Sequence, residues 1–182
     1  NGGYRVQPHL INRIADYKDR ILVDTPAPSH PEEAQRTIPA RNAYLMTSLL
    51  QEVTRSGTAA RAQATLQRPD IYGKTGTTND AMDAWFAGYH QKLAAVVWIG
   101  YDTPRKLGDR ETGGGLSLPV WIKFMETALR PLPITEPAPA EGLVQVGGEW
   151  FYSEYAGNRG VSSLGGNGNG NVHTEPLPPE EE

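Results

Sequence analysis

Residues 73–80, Gly-Lys-Thr-Gly-Thr-Thr-Asn-Asp, place a cation, the Thr75 and Thr77 hydroxyls and two glycines on one short run of backbone. That combination can hold a carboxylate. Asp70-Ile71-Tyr72 leads in as strand, so residues 74–77 should continue it with alternating side chains, Lys74 and Gly76 on one face and Thr75 and Thr77 on the other. One ligand reaches all four only by lying along the edge of the strand. An edge strand offers unpaired N–H and C=O groups, so an extended peptide can bind there as an added strand while Lys74 and the hydroxyls take its terminal carboxylate. Gly76 keeps that approach clear of side chain.

The elements that must position this run follow it directly. Residues 83–89, Asp-Ala-Trp-Phe-Ala-Gly-Tyr, read as a second strand, and residues 93–102 as a third after the polar His90-Gln91-Lys92. Three consecutive strands form an antiparallel meander headed by the Lys-Thr-Gly edge. The third is an almost unbroken apolar run, which suits a strand covered on both faces and needs a further partner. Upstream, residues 9–24 suggest a hairpin around a polar turn at 16–20, and residues 25–39, with four prolines, a loop. Leu45, Leu49 and Val53 fall at i, i+4 and i+8 of a helix over 40–56 that Gly57 would terminate from the C′ position. A short helix over 58–66 and a helix from Pro119 through Leu129 flank the meander, the proline standing in a first turn.

With its continuations, the chain resembles the C-terminal portion of the transpeptidase domain of class A (bifunctional) penicillin-binding proteins. The resemblance rests on residues 73–80, on Asp83-Ala84-Trp85-Phe86-Ala87-Gly88-Tyr89, on Val97-Trp98-Ile99-Gly100-Tyr101-Asp102, and on Thr112-Gly113-Gly114-Gly115 leading into Pro119-Val120-Trp121. Fainter echoes are Asn1-Gly2-Gly3-Tyr4, Ile14-Ala15-Asp16 and Val53-Thr54-Arg55-Ser56-Gly57-Thr58-Ala59. It implies part of a penicillin-binding, serine-β-lactamase-like α/β fold, an antiparallel meander with flanking helices, and a parent that cross-links peptidoglycan stem peptides ending in D-Ala-D-Ala and is acylated by β-lactams. By the same resemblance, Lys74 and Thr77 are catalytic and Thr75, Gly76, Thr77 and Thr78 bind substrate, with the Thr77 N–H as half of an oxyanion hole. It also implies a parent anchored at the periplasmic face of the bacterial inner membrane, with a glycosyltransferase domain, and no cofactor.

The family's nucleophile is absent. None of the seven serines is followed by Lys three residues on or by Asn two residues on, so the Ser-x-x-Lys and Ser-x-Asn motifs must come from elsewhere. We therefore read the chain as a fragment that acts with an N-terminal part of the same protein. Residues 1–130 would belong to the transpeptidase domain. Residues 131–182 would form a Pro/Gly/Glu-rich, largely disordered tail with one short hairpin around Gly147-Gly148, marginal unless docked.

Composition excludes other classes. A net charge of −4, with no basic cluster, gives no footprint for nucleic acid. Zero cysteines rule out disulfides and thiolate metal sites, and the four histidines sit in separate segments as surface residues, so no metal is expected. The longest apolar run, residues 93–99, is far short of a membrane span. Residues 113–115 lack the Lys-Ser/Thr of a phosphate loop. Thr78, Asn79 and Asp80 carry turn chemistry, Asp83 reads as a polar anchor, and Trp85, Phe86, Trp98 and Tyr101 as packing. Two rivals stand beside the transpeptidase. A D,D-carboxypeptidase or β-lactamase-like hydrolase would share the Lys-Thr-Gly strand, and a non-catalytic peptide- or cell-wall-binding module would need no serine.

Overall fold

The computed structural model describes residues 2–6, 8–25 and 36–156. Its centre is a three-stranded antiparallel sheet in the order β3 (Tyr72–Thr77), β4 (Ala84–His90), β5 (Leu93–Ile99), the expected meander. It is preceded by the hairpin β1 (Arg13–Ala15) and β2 (Ile21–Asp24), then by α1 (Ala40–Arg55) and α2 (Ala60–Leu66). After it come α3 (Ser117–Ala128) and a second hairpin, β6 (Leu143–Val146) and β7 (Glu149–Tyr152). The mixed α/β class with antiparallel sheets is as the sequence implies. The stretches 26–35 and 157–182, and with them the proline-rich loop and the Gly/Asn and acidic tail segments, lie outside the described residues.

Register assigns each side chain to a face. Gly73, Thr75 and Thr77 stand with Ala84, Phe86, Gly88 and His90 and with Leu93, Ala95, Val97 and Ile99 on one side. α3 covers that side, burying Leu118, Trp121, Ile122 and Met125 against Phe86 and Ile71. Gly73 and Gly88 are cross-strand partners, and a Cβ on either would come within 2.7 Å of the Phe86 ring. Their bare backbone forms the slot in which Phe86 and Trp121 meet edge to face at 4.9 Å. The glycine that opens the Lys-Thr-Gly run therefore serves the core.

The other face carries Lys74 and Gly76, Trp85 and Ala87, and Ala94, Val96 and Trp98. Among the described residues it is covered only near Tyr72 and Tyr89, where α1 crosses. β5 is consequently an edge strand with one covered face, not a strand covered on both. Its outer edge pairs with no strand among the described residues, and Val96 and Trp98 are exposed.

α1 presents a different side from the one its leucines suggest. Leu49 is 60% exposed, while Tyr44, Thr47, Gln51 and Thr54, spaced three, four and three residues apart, face the sheet. The reason is what they meet: Thr54 Oγ1 donates to Ile71 O at 2.8 Å, Gln51 Nε2 to Pro69 O at 2.8 Å, and Thr47 Oγ1 lies 3.2 Å from the Tyr89 hydroxyl. A strand edge exposes carbonyls, and a polar helix face satisfies them where leucine would not. Gly57 does take the C′ position. What demands glycine there is close approach, since a Cβ would lie 2.9 Å from Val53 Cα.

Pro119 falls in the first turn of α3, which begins two residues earlier than expected. Beyond α3, residues 131–136 are pinned to the body. Thr135 N–H donates to Asp70 Oδ2 at 2.8 Å, and Arg68 donates to Leu132 O and Pro133 O. The β6–β7 hairpin turns through Gly147 and Gly148, both at positive φ as a two-residue hairpin loop requires. It is docked on α1 by Arg41 to Glu154 at 2.7 Å and by Tyr44 against Trp150 at 5.2 Å.

Candidate active site

The pairing pattern of β3 decides what its free edge offers. In an antiparallel pair, residues alternate between those hydrogen-bonded to the neighbour and those turned away. Thr78 N–H donates to Asp83 O, so the even residues of β3 face β4. The odd ones turn outward. Ile71 O accepts from Thr54 and Thr75 O accepts from Lys74 Nζ at 2.8 Å, as that alternation demands. Thr77 N–H therefore also points to the outer edge.

The side chains converge on the same edge despite their opposite faces. Lys74 curls over the strand, its Nζ 3.3 Å from Thr75 Oγ1. Among the described residues no carboxylate forms an ion pair with Lys74. Thr75 Oγ1 is 2.8 Å from Thr58 Oγ1, which the turn after α1 supplies. Thr77 Oγ1 accepts from Gly113 N–H at 3.1 Å, so its own O–H remains to donate. Lys74, Thr75 and Thr77 are thus brought to one edge, and Gly76 between them faces the Trp85 Cβ, 3.2 Å from where its own Cβ would stand.

Thr78 serves the turn: its Oγ1 accepts from Asp83 N–H at 2.8 Å. Asp80 and Ala81 both adopt positive φ, held by Lys106 on Asp80 Oδ1 at 3.2 Å and by Leu107 N–H on Ala81 O. Asp83 is the expected polar anchor, accepting the Trp98 indole N–H at 2.9 Å. Trp85 and Trp98 pack at 6.0 Å on the open face beyond Gly76, Phe86 is in the core, and Tyr101 lies under Arg105.

One histidine departs from the surface placement expected of it. His90 is buried, because Asp70, also buried, needs company at the opposite end of β3. Lys92 N–H donates to His90 Nδ1, leaving the proton on Nε2, which lies 3.2 Å from Asp70 Oδ2 without full hydrogen-bond alignment. Arg68 grips the same carboxylate at 2.9 and 2.7 Å. Burial works to raise the Asp70 pKa, but the Arg68 guanidinium, the Thr135 N–H and His90 together outweigh it and hold the carboxyl below its ordinary range. A cavity of about 420 Å³ opens beside this end, over Tyr72 and Tyr89, and does not include Lys74 or Thr77. Sequence reasoning did not single out Thr58 or Gly113 as site residues. Both lie in stretches that carry the family resemblance, yet only the fold shows that those stretches flank β3.

The fold and this edge define a class. Residues 1–126 match the family of the penicillin-binding protein transpeptidase domain, and the chain belongs to it. It is 42% identical over 154 residues to penicillin-binding protein 1A of Neisseria flavescens, covering 85% of this chain and 19% of that protein. It is 37% identical over 191 residues to penicillin-binding protein 1A of Pseudomonas aeruginosa, covering 80% and 23%. The crystal structure of penicillin-binding protein 1A from Haemophilus influenzae is similar with a TM-score of 0.73 at 28% identity, over 84% of this chain and 30% of that one. The chain thus spans about a fifth of the length of these curated relatives.

Proposed function

We propose that this chain supplies the Lys-Thr-Gly wall of a D,D-transpeptidase site that cross-links peptidoglycan and is acylated by β-lactams. What supports this reading is the outward edge of β3, where Lys74 Nζ lies against Thr75 O and Oγ1, Thr77 Oγ1 accepts from Gly113 with its own proton left to donate, and strand alternation turns the Thr77 N–H outward. A stem peptide laid along it would place its terminal carboxylate on Lys74 and the two hydroxyls. A serine from another part of the protein would attack the D-Ala-D-Ala carbonyl. The Thr77 N–H would then stabilise the oxyanion, a contribution of about 3 kcal/mol. Collapse of the tetrahedral intermediate breaks the C–N bond, releases D-Ala with a proton, and leaves an ester to the serine. The amine of a second stem peptide resolves that ester into the cross-link.

The serine is assigned to another part because no Ser-x-x-Lys occurs in the chain, and Ser117, beside the sheet, is buried with its hydroxyl donating to Ala84 O. The family also supports a parent anchored at the periplasmic face of the bacterial inner membrane and carrying a glycosyltransferase domain. No helix among the described residues is long and apolar enough to cross a membrane. Two experiments test the reading. A labelled penicillin should acylate a longer protein that contains this chain, and should leave the 182-residue chain unlabelled. Covalent labelling of the short chain at any serine would overturn the assignment of the nucleophile. Supplying an acceptor amine should convert hydrolysis of a D-Ala-D-Ala peptide into transfer, and a product distribution that ignores the amine would make the protein a hydrolase.

A further inference from the structure

Thr58 enters the β3 edge from outside the strand. It follows α1 in the turn Ser56-Gly57-Thr58, is exposed, and is 17 residues from the threonine it meets. Its neighbours hold it in place. Ala59 N–H donates to Val53 O at 3.0 Å, the close approach of Gly57 to Val53 fixes the turn, and Ala59 itself is fully buried.

The Thr58–Thr75 pair contains two hydroxyl protons and one mutual hydrogen bond. Whichever oxygen donates, one O–H is left over. Lys74 Nζ, 3.3 Å from Thr75 Oγ1, loads a lone pair of that oxygen, and among the described residues the remaining O–H has no protein acceptor. A surplus donor beside a lysine, on an edge whose lysine has no carboxylate partner among the described residues, suits an anion. We propose that Thr58 is a third hydroxyl of the carboxylate-binding edge, acting on the substrate or β-lactam carboxylate with Thr75 as a pair. This rests on the proposed transpeptidase reading and adds to it a residue from outside the Lys-Thr-Gly strand.

The test compares two acylating probes on the longer protein that contains this chain: benzylpenicillin, which carries the free carboxylate, and its methyl ester, which does not. Thr58→Val keeps the shape and removes the hydroxyl, and Thr58→Ser keeps the hydroxyl. Thr58→Val should lower the second-order acylation rate for the free acid about tenfold, the worth of one hydrogen bond to an ionised group, and change the ester rate less than twofold. Thr58→Ser should restore the free-acid rate to within about twofold of the wild type. Thermal unfolding checks that the variants fold, and if Thr58→Val does not, the same ratio measured on Thr58→Ala decides. Equal losses for acid and ester, or no loss for either, overturn the role of Thr58 while leaving the transpeptidase reading standing. A wild-type protein that reacts with neither probe overturns both.

Discussion

Gly113 donates its N–H to Thr77 Oγ1 at 3.1 Å from the covered side of the sheet, and in doing so leaves the Thr77 hydroxyl as a donor to the open edge. The contact has almost no spare room. A Cβ on Gly113 would lie 2.2 Å from Trp85 O and 2.5 Å from Gly76 O, both backbone atoms of the paired strands.

Gly113→Ala should therefore destabilise the fold by about 2–4 kcal/mol, since strand backbone has to move to admit one methyl. Gly115→Ala, whose Cβ would meet nothing closer than 3.4 Å, should change stability by less than about 0.5 kcal/mol. Denaturant unfolding of the pair checks this. Equal effects would show that the Gly76–Trp85 backbone yields freely.

The buried carboxylate sets an acid limit. The Asp70 pKa is depressed in the folded state, so its stabilisation is complete above the unfolded carboxyl pKa, about 3.9, and is lost as pH falls through the lower folded value. Stability measured by thermal unfolding should fall with a distinct step below about pH 4. Asp70→Asn should abolish that step. The variant should also lose about 3–5 kcal/mol at pH 7, because the largely buried Arg68 would be left without its carboxylate partner. A variant with the same acid limb would move the step to other groups.

The β5 edge and the open face make the isolated chain prone to associate. Val96 and Trp98 stand exposed beside outward N–H and C=O groups that pair with no strand among the described residues. The 182-residue chain should bind an apolar dye and self-associate, and Val96→Lys should shift it toward monomer in sedimentation. A monodisperse, dye-silent wild type would mean that this edge is covered.

How far the sequence revealed this arrangement differs by element. The β3–β4–β5 meander was legible because strand alternation and the polar turn at 90–92 are local signals. The same alternation set Lys74 and Thr75 on opposite faces, and their meeting at the edge comes from the Lys74 side chain curling over the strand. The inward side of α1 was legible only in part: Val53 packs against the core as helical periodicity suggests, but Leu49 is exposed, and Thr47, Gln51 and Thr54 face polar partners, the Tyr89 hydroxyl and the carbonyls of Pro69 and Ile71. His90 was misplaced because its burial depends on Asp70, 20 residues away in sequence and brought close only by strand pairing. Thr58 and Gly113 were invisible as site residues for the same reason: their contacts span 17 and 36 residues.

The most direct test of the central claim is the rate at which a labelled penicillin acylates the longer protein that contains this chain, wild type against Lys74→Ala. Lys74 is exposed and makes no packing contribution to the core, so the variant should unfold at the wild-type temperature. The transpeptidase reading predicts that its second-order acylation rate falls at least about 100-fold, the scale of losing an electrostatic group that acts on the reacting substrate. Unchanged acylation in a folded Lys74→Ala protein would contradict it and remove the β3 edge from the site.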